Sequence, residues 1–175
     1  TPAPNVDGAF FTPPSLARSL AEEGLRFPSL ASFPRIRIFD PACGSGELLK
    51  EALRILEIRG YAGQIHLSGW DQSEAAVDIA RFSLGWEASK WSGRAVVDIQ
   101  CVDSVITSKW PNDVDLLIMN PPFKSWQQMD NEEQEAVSAQ LADVQHNKPN
   151  LASVFLRRAA DAVRALSANL SARGL

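Results

Sequence analysis

Asn120-Pro121-Pro122-Phe123 is the stretch of the chain with the most pointed chemistry. Two consecutive prolines fix φ and remove two backbone donors, so carbonyl oxygens are the backbone polar groups left on show. The Asn side chain adds an amide oxygen, and Phe adds a flat apolar face. Acceptors beside a flat face describe a pocket for an aromatic amine. A second stretch, Asp40-Pro41-Ala42-Cys43-Gly44-Ser45-Gly46, sets a carboxylate ahead of two glycines. Those glycines let the backbone turn tightly and approach a ligand without a Cβ in the way. Gly69-Trp70-Asp71 ends in an acid able to accept from both hydroxyls of a ribose. Val102-Asp103-Ser104 offers a carboxylate that could accept from an adenine amino group. Taken singly, Asp71 and Asp103 read as turn or capping acids, and the glycine pair as a plain strand-to-helix turn.

The order of the surrounding elements gives these strings their meaning. Arg35 to Asp40 alternates basic and apolar residues and then turns wholly apolar, as a strand entering a core does. Glu47 to Arg59 spaces Leu49, Ala52, Leu53 and Leu56 as one helical face, with Gly60 as the stop. Gln64 to Trp70 is a second strand, and Ser73 caps a helix carrying Ala76, Val77 and Ala80. Ala95 to Val102 is a third strand. Val114 to Met119, nearly all apolar, reads as a central fourth. Asn131 to Val144 and Leu151 to Leu166 are further helices, one polar and one more apolar. Ahead of them all, Thr12-Pro13-Pro14 reads as a helix start with a hydroxyl cap, Leu16 and Leu20 share a face, and Gly24 ends the helix. Strands joined by helices in this way form right-handed βαβ units and a parallel sheet. Ligands of such sheets bind beyond the carboxyl ends of the strands, and all four chemical strings sit there.

Composition narrows the classes. The chain has 175 residues, 45% of them hydrophobic and 22% charged, with a formal charge of −4. That is enough for one globular core, and it excludes disordered, collagen-like and coiled-coil chains. No apolar run is long enough to span a membrane, and the first residues lack the pattern of a signal peptide. Cys43 and Cys101, with His66 and His146 scattered, give neither zinc-ligand spacing nor a disulfide framework, which points to a reducing, cytoplasmic setting. The slight acidity means that this stretch would not be the main electrostatic anchor on a nucleic acid.

Several phosphate- or acyl-handling motifs fail on single residues. Leu49 stands where a dinucleotide fingerprint needs its third glycine, no lysine follows the glycines as in a Walker loop, and Cys43 occupies the glycine position of a nucleophile elbow. Cys43 lies at a helix start that favours a thiolate, but no base is near in sequence, so it reads as a packing residue. Asp130, Glu132, Glu133, Glu135 and Asp143 form a stretch without Lys or Arg, read as a solvated helix face or a lid. Trp126 reads as a lid-packing or base-contacting residue.

Together, the strings resemble the S-adenosylmethionine-dependent DNA adenine-N6 methyltransferases of gamma motif order found in restriction-modification systems. Phe11-Thr12-Pro13, Asp40 to Gly46, Asp71, Asp103-Ser104 and Asn120 to Phe123 follow one another as in that family, and Asn150 to Phe155 resembles its next helix. The resemblance implies a Rossmann-like sheet of parallel strands with helices on both faces, here truncated after about four of the family's seven strands. Residues 1–175 would be part of the catalytic domain, with 1–34 an N-terminal helical cofactor motif. By the same resemblance Thr12 and Pro13 lie against the methionine part of the cofactor, and Asp40, Ala42, Gly44 and Gly46 line its loop. Asp71 then holds its ribose and Asp103 its adenine amino group. Asn120 and the Pro121 carbonyl, in the turn set by Pro122, accept from the amino group of a flipped adenine in double-stranded DNA, against which Phe123 stacks.

Phe123 departs from the tyrosine common in the family, which keeps the stacking face and loses a hydroxyl. With the remaining strands and a target-recognition region absent, the chain is expected to be a fragment or incomplete partner of a restriction or specificity subunit, inefficient on DNA alone. Competing readings are an RNA guanine-N2 or protein glutamine methyltransferase, a non-catalytic binding subunit of the same fold, and, least supported, a dehydrogenase.

Overall fold

The computed structural model describes residues 12–26, 33–107, 109–143 and 148–172, with side chains as far as residue 162. Phe11, Pro28, Val144, His146 and Gly174-Leu175 lie outside the described residues. The backbone separates into two compact units, one of 11–103 and 113–120, the other including 104–112 and 121–175.

The first unit is built on a strand whose alternate residues must be buried. Arg35–Asp40 (β1) places Ile36 and Ile38 on one face, both fully enclosed. It runs parallel to Gln64–Asp71 (β2), with Arg35 opposite Gln64 and Asp40 opposite Gly69. Beyond β2 lies Ala95–Cys101 (β3), and on the other side of β1 lies Leu116–Leu117 (β4). The sheet order is β3-β2-β1-β4, all parallel. The order reverses between β1 and β4, and at such a switch point the strand ends leave a crevice for ligands. Asp40 ends β1 there, and Asn120 follows β4.

Helix Glu47–Ile58 (α2) buries Leu48, Leu49, Ala52, Leu53, Ile55 and Leu56, and the chain leaves it through Gly60 at φ +66°. Glu74–Ser89 (α3) starts at Ser73, whose hydroxyl accepts from the Ala76 N–H. These helices and Pro14–Gly24 (α1) share one apolar cluster with Ile36, Ile38, Ile65, Leu67 and Ile99.

Three expectations change. Thr12 does not cap α1; Pro13 is the capping residue, with no side-chain bond. The face that α1 buries carries Ala17 and Ala21, while Leu16 and Leu20 remain exposed, because small side chains let α1 approach α2 closely. The fourth strand pairs over two residues only. Asp115 explains its late start, since its carboxylate accepts the Arg37 N–H at 2.8 Å and meets the Arg37 guanidinium at 3.4 Å. Within this sheet β4 is an edge, not a central strand.

In the second unit, Asn131–Leu141 (α4) and Leu151–Ala172 (α5) are joined by buried Val137, Leu141, Leu151, Val154 and Phe155. Trp110 packs on Phe155 at 5.8 Å between ring centres, and its indole N–H donates to the Ser104 carbonyl. Asn150 caps α5 by accepting from the Ser153 N–H at 3.0 Å. The acidic stretch is exposed at Asp130, Glu132, Glu135 and Asp143, with Glu133 half-buried, as a solvated helix face would be. Asp130 and Glu133 form a reciprocal cap at the start of α4, Lys124 binds Glu133 at 2.6 Å, and Arg157 binds Asp143 at 2.8 Å.

Candidate functional site

The loop between β1 and α2 is tied down at each turn. Asp40 Oδ1 accepts from the Ala42 N–H at 2.9 Å, the Cys43 N–H donates to the Trp70 carbonyl at 2.9 Å, and the Gly46 N–H donates to the Cys43 carbonyl at 2.8 Å. Ser83 of α3 donates to the Ser45 carbonyl. Gly46 has φ +83°, and a Cβ there would lie 2.8 Å from Leu84 Cδ1, so only glycine fits. Gly44 differs: its φ is +52° and a Cβ would meet nothing within 4 Å, so its backbone faces open space. Gly69 admits the loop from below, where a Cβ would stand 3.0 Å from the Cys43 side chain.

Asp71 is the strut of this arrangement. One carboxylate oxygen accepts from Gly44 N–H and the other from Ser73 N–H, both at 2.9 Å. The residue is half-buried, and each oxygen keeps a lone pair for a further donor. The acid read as a ribose acceptor therefore also fixes the position of the glycine loop. Asp40, fully buried, has one oxygen without a partner. Its burial, with the Asp71 charge adding to the effect and the Ala42 N–H opposing it, pushes its pKa up to about 7. Two carboxyl groups around an open glycine turn make a place suited to a ligand with hydroxyls and positive charge. Cys43 is pushed the other way from a nucleophile: burial and both carboxylates raise its thiol pKa, and it stays a packing residue.

Across the switch point, the Asn120 amide nitrogen donates to Thr12 Oγ1 at 3.0 Å. The bond joins residues 108 positions apart and turns the amide oxygen of Asn120 into the group left to accept. Pairing of these two strings by their side chains is not visible in the sequence, where Thr12 reads as a cap or cofactor contact. Ser83 and Leu84, which hold and fill beneath the loop, carry no sequence signal either. Asp103 follows β3 and is half-buried, and Ala42 is half-buried beside Asp40. Pro13 is exposed at the start of α1. In the second unit Pro121 and Pro122 are half-buried, and the Phe123 ring is 59% exposed.

A parallel sheet with its glycine loop and acids at the strand ends has the layout of a Rossmann-like fold. The chain superposes on a protein of Listeria monocytogenes described as a class I S-adenosylmethionine-dependent methyltransferase, with a TM-score of 0.61 and 19% identity over 86% of this chain and 42% of that one. The N-6 DNA methylase family matches residues 3–164, and the chain belongs to that family. It is 33% identical over 90 residues to the methylase subunit of the type I restriction enzyme MjaVII of Methanocaldococcus jannaschii, covering 49% of this chain and 14% of the relative. It is 31% identical over 128 residues to the type II methyltransferase M.BanIII of Aneurinibacillus aneurinilyticus, covering 66% of this chain and 22% of the relative. The chain thus spans about a seventh to a fifth of these curated relatives.

The residues fit the cofactor that the class implies. A buried carboxylate oxygen without a partner, spare lone pairs on Asp71 and open space at Gly44 all suit a cationic, ribose-bearing molecule.

Proposed function

We propose that this chain carries the cofactor site and the catalytic asparagine of a restriction-modification DNA methyltransferase that acts on the exocyclic amino group of adenine. The observation that carries the reading is the Thr12–Asn120 bond, which presents the amide oxygen of Asn120 as an acceptor at the sheet's switch point. Asp40, Ala42, Gly44, Gly46 and Asp71 would hold S-adenosylmethionine, with Thr12, Pro13 and Asp103 as further contacts. When bound, the cofactor supplies an electrophilic methyl group.

The chain's own residues then have simple tasks. Asn120 Oδ1 and the Pro121 carbonyl accept the two hydrogens of the target amino group, drawing its nitrogen towards a tetrahedral shape and localising its lone pair for in-line attack. Phe123 offers a stacking face to a base turned out of the duplex. Catalysis of this kind is positioning and needs no covalent intermediate on the protein. Double-stranded DNA would be held by regions of the longer relatives together with this domain, in the cytoplasm and in company with a restriction or specificity subunit.

The test compares labelled methyl incorporation into DNA, ribosomal RNA and protein by a longer chain containing this domain. The reading predicts N6-methyladenine in DNA, lost in Asn120→Ala, and little turnover by the 175-residue chain alone. Label confined to RNA guanine or protein glutamine would replace the substrate. Absence of any transfer and of cofactor binding would favour a non-catalytic subunit.

A further inference from the structure

Asp40 is a carboxyl group buried with little to support its charge. Its side chain is fully enclosed, one oxygen accepts from the Ala42 N–H at 2.9 Å, and the other has no partner. Loss of hydration holds a group so placed in its neutral form. The groups facing it add to the effect, since Asp71 of β2 carries the same charge and the buried Cys43 thiol is neutral. The elements around the loop bring no opposing charge. β2 sets Gly69 opposite Asp40, α3 reaches the loop with Ala80, Ser83 and Leu84, and Thr12 and Asn120 are uncharged. α2 opens with Glu47, which is paired with Lys50 of the same helix. The bonds that Asp40 and Asp71 accept come from the backbone N–H groups of Ala42, Gly44 and Ser73, not from lysine or arginine. Two carboxyl groups thus flank one open glycine turn, and among the described residues neither is ion-paired.

Resting on the cofactor reading above, we infer that Asp40 distinguishes the cationic methyl donor from its neutral product: a positive charge at the glycine loop draws the Asp40 proton off into solvent, and loss of that charge lets the proton return. Methyl transfer turns a sulfonium into a thioether, so the product carries one positive charge fewer than the donor. Contact with Asp40 is not required. An opposite charge within about 4–6 Å favours the ionised form of a carboxyl, moving its titration down by roughly one to three pH units. Burial keeps the proton on the free protein up to about pH 7. The donor complex then holds fewer protons than the free protein, so donor affinity rises with pH below that value while product affinity stays level. Each transfer removes the charge that Asp40 answers, which favours exchange of the product for new donor.

Calorimetry on the 175-residue chain at about pH 6, in two buffers of different ionisation enthalpy, counts the protons released per ligand bound. The ligands are S-adenosylmethionine, S-adenosylhomocysteine and sinefungin, in which a protonated amine replaces the sulfonium. The two cations should each release about half a proton or more, and the thioether less than about 0.2. Between about pH 5.5 and 7, below the usual titration of α-amino groups, affinity for S-adenosylmethionine relative to S-adenosylhomocysteine should rise about five- to tenfold. Asp40→Asn, which keeps the shape of the neutral carboxyl, should abolish the release and level the ratio. The comparison of ligands on the wild type holds whether or not the variant folds. Binding of the cations without proton release, equal release by the thioether, or release that persists in Asp40→Asn would overturn the inference and leave the cofactor reading standing. Failure of the folded chain to bind any of the three would overturn both.

Discussion

Asp40 holds a fully buried carboxyl group, and its ionisation must cost stability. The unfolded chain releases this proton near pH 4, whereas burial keeps it on the folded protein up to about pH 7. Between those values the native state binds more protons, so the contribution of Asp40 falls as pH rises and is fully lost above about 7. Asp40→Asn removes this dependence. Urea unfolding of both proteins at pH 4.5 and 8 should show the variant gaining on the wild type at the higher pH, by at most about 4 kcal/mol. A difference that does not change with pH would contradict the burial. Thr12 makes a separate prediction at the same scale. In a catalytically competent longer chain, Thr12→Val leaves the Asn120 amide free to rotate and should lower kcat about 10²-fold. Cofactor KM should change far less, and Thr12→Ser, which keeps the hydroxyl, should restore most of the rate. A loss in Ser with Val left active would mean that the methyl group, not the hydrogen bond, is what matters.

At the scale of elements, the strand-to-helix loop works because its two glycines have different duties. Gly46→Ala forces a left-handed residue into Leu84 and should cost about 2–3 kcal/mol, whereas Gly44→Ala meets no atom and should cost about 1 kcal/mol. Chemical denaturation separates the two, and equal losses would contradict this division. The element order and the first three strands were legible from apolar periodicity alone, since β1, β2 and α2 each bury one regular face. The glycine loop, Asp71 and the proline turn were legible as turns at the carboxyl ends of strands, which is where the structure has them. What stayed hidden depended on partners distant in sequence. Asp115 shortens β4 by bonding Arg37, Ala17 and Ala21 take the buried face of α1 in place of Leu16 and Leu20, and Lys124 and Arg157 pair with Glu133 and Asp143 from outside the acidic stretch. Local pattern carries no record of such long-range pairings.

For the whole molecule, family membership and the site geometry point the same way from independent observations. The family match covers residues 3–164, yet the chain spans only 14% and 22% of its two curated relatives, so a cofactor-binding half is the function it can be asked to show by itself. Asp71 is the residue on which the proposed function turns: it anchors the Gly44 loop, and in the proposal it also accepts from the ligand. The most direct measurement is a calorimetric titration of S-adenosylmethionine into the folded 175-residue chain, with Asp71→Ala beside it. The account predicts saturable one-to-one binding by the wild type, weakened at least about tenfold in the variant through loss of its charged hydrogen bonds. Heat indistinguishable from dilution in a wild type shown to be folded, or equal affinity in the two proteins, would contradict it.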